Sequence, residues 1–321
     1  MLYKLFACVI ALLPYLQPAL ADTYPTRPIR FINPTAPGGT AEPIARVIAL
    51  KLSETLGQSV VVDSRGGAGG TVATATAANA PPDGYTILLG VVSPMAINVS
   101  LYGAKLPYDP LKSFAPVSLI TKVPQVLSLH PSIPAANIKQ LVELAKDPRS
   151  KLNYGSAGNG TTGHLVGELL KKRAGIPLTH VPFKGSGPAL TALLSNDVGI
   201  MLSGPPAVIA LSQAGRLRVL ATSGVTRTPV MPDVPTFIES GLPIEITSWY
   251  CMVVPAGTPQ VIVKQLHAAL VDSLKSPQVA EALLKMGAPP EWSSPAELTV
   301  FLRAEIRKFA EVVEIAGAKI D

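Results

Sequence analysis

Short apolar runs alternate with stretches of helical spacing along most of this 321-residue chain. Runs at 29–32, 60–62, 86–89, 151–154, 198–202 and 218–221 predict strands. Apolar positions three and four apart at 44–56, 71–80, 138–146, 165–173 and 189–194 predict helices. This alternation predicts an α/β protein with parallel sheets covered by helices on both faces. From Thr258 onward the pattern is helical only. Thr258-Pro259, Ser276-Pro277 and Ser294-Pro295 each place a capping hydroxyl before a proline suited to the first helical position. Ser294-Pro295-Ala296-Glu297 also spells a capping box, and the helix behind it sets Leu298, Leu302, Ile306, Phe309 and Val313 on one face, expected to pack on a sheet.

Two glycine-rich turns stand between a strand pattern and a helix pattern, one in each half. The first is Asn33-Pro34-Thr35-Ala36-Pro37-Gly38-Gly39-Thr40, and the second is Asn153-Tyr154-Gly155-Ser156-Ala157-Gly158-Asn159-Gly160-Thr161-Thr162. A helix start presents unpaired N–H groups and a partial positive charge, so each turn is a candidate anion seat. In open α/β sheets such turns lie at the carboxyl ends of strands, where ligands bind. Two seats facing one cleft would hold a small anion between two domains. Residues 158–163 spell G-x-G-x-x-G, but residues 178–194 carry no acidic partner for a ribose, which disfavours a dinucleotide. An anion seat or a purely structural turn remains. The first turn lacks the lysine of a P-loop. Arg65-Gly66-Gly67-Ala68-Gly69-Gly70, Ser93-Pro94 and Pro182-Phe183-Lys184-Gly185-Ser186 are further loops expected at the same edges.

Composition narrows the class. Lys4, the apolar run 5–16 and Ala19-Leu20-Ala21 form an export signal expected to be cleaved after Ala21, with no spanning helix beyond it. Cleavage leaves 300 residues, enough for two domains, with Cys251 as the one remaining cysteine and no internal disulfide. A net charge of +6, without a clustered basic face, does not fit a nucleic-acid binder. His130, His164, His180 and His267 show no metal-ligand spacing, and no nucleophile elbow is present, so neither a metal, a cofactor nor catalysis is expected. An exported enzyme acting on a small carboxylate is the alternative from another class; a ligand sensor for a signalling partner is a third.

Taken in order, Tyr24-Pro25, Pro28-Ile29-Arg30, Ala36-Pro37-Gly38-Gly39, Gly67-Ala68-Gly69-Gly70 and Pro82-Asp83-Gly84-Tyr85-Thr86 resemble the Bug receptors, the extracytoplasmic solute-binding proteins of tripartite tricarboxylate transporters. The likeness continues through Leu106-Pro107-Tyr108-Asp109-Pro110, Gly158-Asn159-Gly160-Thr161, His180-Val181-Pro182-Phe183-Lys184-Gly185, Pro232-Asp233-Val234-Pro235-Thr236 and Pro255-Ala256-Gly257-Thr258-Pro259. The resemblance implies a Venus-flytrap (type II periplasmic-binding-protein) fold, with residues 22–123 and 253–321 in one domain and 124–252 in the other. It implies a periplasmic monomer that binds a small organic carboxylate and docks on a membrane permease. Carried over, the ligand site comprises Thr35, Pro37, Gly38, Gly39, Thr40, Ser93, Ser156, Asn159, Gly160, Thr161, Thr162 and Phe183, with Ser203 as a polar selector and Trp249 as a hydrophobic wall. The chain departs from the family pattern at Thr35, Val91-Val92, Leu202-Ser203-Gly204 and Tyr250-Cys251. Ser203 stands where many relatives carry an acid. That departure points to an apolar or aromatic mono- or dicarboxylate in preference to an amino acid.

Overall fold

The computed structural model describes residues 24–147 and 149–319. The expected export signal at residues 1–21, with its expected cleavage site, lies outside the described residues. Ten strands form two five-stranded sheets, one in each of two domains. The first holds β1 (Ile29–Asn33), β2 (Val60–Ser64), β3 (Thr86–Val91), β4 (Phe114–Pro124) and β10 (Thr247–Pro255), in the order β2-β1-β3-β10-β4. The second holds β5 (Val126–Leu129), β6 (Asn153–Ser156), β7 (Thr179–Pro182), β8 (Ile200–Ser203) and β9 (Arg218–Thr222), in the order β7-β6-β8-β5-β9. The two orders superimpose: β1 corresponds to β6, β2 to β7, β3 to β8 and β10 to β5. The two glycine turns therefore occupy equivalent places in equivalent half-molecules.

The sheets are mixed, not parallel as the pattern predicts. β10 runs antiparallel to β3 and β4, and β5 runs antiparallel to β8 and β9. The reversal follows from the connections: β5 and β10 come from the other sheet and enter from the cleft end. The parallel strands obey the expected rule, each feeding a helix. α1 (Ala41–Leu56) follows β1, α2 (Thr71–Ala78) follows β2, α5 (Thr162–Ala174) follows β6, α6 (Ser186–Leu194) follows β7 and α7 (Pro205–Gln213) follows β8. The first crossing between sheets is a single residue, Gln125, between β4 and β5. The second ends at Thr247, because all of β10 pairs within the first sheet, so 247–252 lie with the first sheet and not with residues 124–246.

The remaining helices are the short α3 (Asn98–Tyr102), then α4 (Ile138–Lys146), α8 (Gln260–Lys275), α9 (Pro277–Lys285) and α10 (Pro295–Ala316). Ser294 and Glu297 complete the expected capping box, and Ser276 caps α9. Thr258 does not cap α8; its hydroxyl donates to the Pro255 carbonyl. Leu298, Leu302 and Phe309 of α10 are buried against β4 and its surroundings, with Ile306 and Val313 half-buried. The far end of α10 reaches the second domain, where Lys172 Nζ donates to the Ile315 carbonyl at 2.9 Å. Among the described residues no helix is long and apolar enough to cross a membrane.

The helix behind the second glycine turn lies close to its sheet. Tyr154 of β6 is fully buried, and its hydroxyl donates to Glu168 of α5 at 2.7 Å. Its ring occupies the space a side chain at Gly167 would need, since a Cβ there would fall 2.2 Å from the Tyr154 ring. Gly167→Ala overpacks this contact and is expected to lower the unfolding free energy by about 1–3 kcal/mol, read by urea denaturation.

Candidate functional site

The carboxyl ends of the parallel strands in both domains open onto one cavity of about 300 Å³ between the sheets. Five helices begin in its wall: α1 at Thr40-Ala41, α2 at Gly70, α5 at Thr161-Thr162, α6 at Gly185-Ser186 and α7 at Gly204. Each start carries roughly half a positive charge together with N–H groups that have no partner within the helix. Only α5 has a side-chain cap, Thr161 accepting from the His164 amide; α1, α2, α6 and α7 have none. Lys184 is the one charged side chain among the described lining residues. Thr35, Thr40, Ser93, Gln125, Thr161, Thr162, Ser186 and Ser248 supply hydroxyls and an amide, while Val91, Pro94, Phe183, Leu202 and Tyr250 supply apolar wall. Burial holds the Tyr250 phenol well above its ordinary value, so it stays protonated and can donate. The site can thus hold a compact anion with an apolar body.

Of the residues expected in the site, Thr35, Thr40, Ser93, Asn159, Thr161, Thr162 and Phe183 line the cavity. The others do not, for local reasons. Pro37, Gly38 and Gly39 form the outer lip, and the Gly38 amide is taken by the Glu42 carboxylate. Ser156 is buried beneath the second turn, bonded to His180 Nε2 at 2.7 Å, and the Gly160 amide donates to His164 Nδ1. Ser203 and Trp249 fail as selector and wall through strand alternation, which sends successive side chains to opposite faces. Leu202 and Gly204 line the cavity on either side of Ser203, as Ser248 and Tyr250 do on either side of Trp249. Trp249 instead packs edge-on to Phe301 of α10 and donates its indole N–H to Glu305 at 2.7 Å. Gln125 and Ser248 are site residues that motif spacing does not reveal. Their signal is being polar within apolar runs at or beside the two crossings.

No cluster of three or more His, Cys, Asp or Glu that would hold a metal occurs among the described residues. Cys251 is buried in β10, where burial pushes its thiol up and leaves it a packed hydrophobe.

The two domains meet around the cavity through glycine. A Cβ on Gly187 would lie 2.3 Å from the Pro37 carbonyl oxygen, and one on Gly66 would lie 2.6 Å from the Lys184 carbonyl oxygen. A Cβ on Gly69 would lie 2.9 Å from the Asn159 carbonyl oxygen. Inside the lips, the Gly204 amide donates to Thr40 Oγ1 at 3.3 Å, one direct hydrogen bond across the cleft.

A two-domain α/β protein closed over a small, electropositive cavity is a solute-binding protein of the periplasmic-binding-protein fold. The family model described as "Tripartite tricarboxylate transporter family receptor" matches residues 44–317, and the chain belongs to that family of non-enzymatic receptors. It is 37% identical over 305 residues to Protein BugT of Bordetella pertussis, covering 94% of this chain and 93% of that one. Among solved structures it is similar to R. palustris Rpa4515 with adipate, at 37% identity and TM-score 0.89, covering 92% of this chain and 100% of that one. It is also similar to MatC from Rhodopseudomonas palustris with bound malate, at 32% identity and TM-score 0.85, covering 90% and 100%.

Two outcomes follow from the lip geometry. Gly187→Ala is expected to weaken ligand binding at least tenfold by isothermal titration, because its methyl group meets the opposite backbone only on closure. The ligand-free melting temperature should stay level or rise, since alanine suits a helix. The Gly38 amide, then Arg46, hold the Glu42 carboxyl below its usual range. A lowered folded-state value stabilises above the unfolded value near pH 4.5, and this stabilisation is lost as pH falls below it. Denaturation followed from pH 6 to pH 3 should therefore show a smaller loss of stability in Glu42→Gln than in the natural chain.

Proposed function

We propose that this protein is an exported receptor that captures a small mono- or dicarboxylate with an apolar body and presents it, domains closed, to the membrane subunits of a tripartite transporter. The observation that carries this reading is the charge pattern of the cavity: five helix starts and one lysine, with no acidic side chain among the described lining residues. Carboxylate oxygens suit such a wall, since free N–H groups and hydroxyls stabilise negative charge without a formal counter-ion. An amino acid would bury an α-ammonium with no carboxylate to receive it, at a cost of several kcal/mol. At about 300 Å³ the cavity matches the small end of ligand pockets. Adipate and malate, the acids bound by the two similar R. palustris proteins, are of this class. Opposed seats on α1 with α2 and on α5 with α6 suit an acid carrying a carboxylate at each end. The signal at residues 1–21 and residence in the periplasm belong to the same reading.

A thermal-shift panel tests it. Adipate, malate and benzoate represent the proposed class, with aspartate and glutamate as contrasts. A ligand at a hundred times its Kd stabilises by about 2.7 kcal/mol, a shift of several degrees. The reading expects that shift from at least one of the first three and none from the amino acids. Stabilisation by aspartate or glutamate alone would overturn it.

A further inference from the structure

The floor of the cavity carries a buried hydrogen-bond chain joining both crossings to the second anion seat. Gln125, the single residue between β4 and β5, donates from Nε2 to Ser248 Oγ at 3.0 Å, and Ser248 donates to Thr162 Oγ1 at 2.8 Å. Gln125, Ser248 and Thr162 are 5%, 4% and 3% exposed, and all three line the cavity. A second set of bonds braces the same place. The Gln125 amide donates to Ser223 Oγ at 2.8 Å, and Ser223 donates in turn to the Ile246 carbonyl. Both chain crossings and the start of α5 are thus tied into one polar unit.

The chain has a direction. An amide NH₂ can only donate, so Ser248 Oγ accepts a hydrogen bond from Gln125 and directs its own hydrogen to Thr162. Thr162 Oγ1 is then an acceptor towards Ser248, and its own hydrogen is left without an acceptor among the described residues. Hydrogen bonds arranged head to tail strengthen one another in a low-dielectric site. We propose that Gln125 and Ser248 are positioning residues that orient the Thr162 hydroxyl as a donor to the ligand's carboxylate, coupling occupation of the α5 seat to the crossings between the sheets. This rests on the carboxylate reading above and deepens it. Neither Gln125 nor Ser248 acts through charge; each acts by setting which way the next hydroxyl points. Only an acceptor on the ligand completes the chain, so it favours a carboxylate oxygen over a donor group at that place.

A double-mutant cycle of Ser248→Ala and Thr162→Val separates this from mere packing. Adipate and its monoamide are the probes, with Kd measured by titration calorimetry and stability by urea denaturation without ligand. Each single variant is expected to weaken adipate binding about tenfold, and the double variant no more than either. Adipate should also lose more affinity than the monoamide in Ser248→Ala, narrowing the preference for carboxylate. Additive losses, or an equal loss for both probes, would overturn the proposal. If the natural chain binds no acid of the panel, the carboxylate reading fails. The ligand-free cycle then decides the chain alone: non-additive stability losses uphold its coupling and additive losses dismiss it.

Discussion

A helix start leaves N–H groups with no partner in its own helix, and here five of them face one cavity between two sheets. That concentration of unpaired N–H groups is the constraint around which the rest of the molecule is arranged. It requires parallel strands, so that helices begin at the carboxyl ends, and two such sheets facing each other. It also requires short side chains at the helix starts, which explains the glycine, serine and threonine content there. The lone lysine is a minor addition, because the positive potential is built into the backbone. Such a potential does not depend on a titrating side chain and needs no reorganisation when an anion arrives.

How much of this was legible in the sequence depends on the kind of signal. The glycine turns and the helices behind them could be read because backbone requirements leave marks at adjacent positions. The Ser-Pro caps of α9 and α10 are equally local, whereas Thr258 differs because the same kind of dipeptide also suits a turn that returns its hydroxyl to Pro255. Residues 247–252 are assigned with 124–246 in the sequence reading because a strand entering from another sheet has no neighbour in sequence to announce its partner. The pairing of β10 from Thr247 to Pro255 is a long-range fact. Ser203 and Trp249 were chosen by position within a motif, and a shift of one residue along a strand turns a side chain to the other face. Ser248 and Tyr250, one place to either side, show how narrow that margin is.

Hinge and seat are not separate parts. In many two-domain proteins the connecting strands are passive bending elements, and the ligand touches only the walls. Here the connections border the floor: Gln125 is the first crossing, Ser248 sits just past the end of the second, and both line the cavity. A solute that reaches these residues touches the connections between the sheets as well as the walls, the kind of differential contact by which a ligand can favour one arrangement of two domains.

The glycine lips carry a different consequence, for how such a receptor changes over generations. The surfaces that meet when the jaws shut are backbone against backbone, at Gly187 with Pro37 and at Gly66 with Lys184. These contacts hold only while residues 187 and 66 carry no side chain, so the fit between the lips rests on two glycines and not on the identity of the residues around them. The walls are written in side chains. Preference for one solute over another can then change through a wall residue while the two glycine contacts between the domains stay intact.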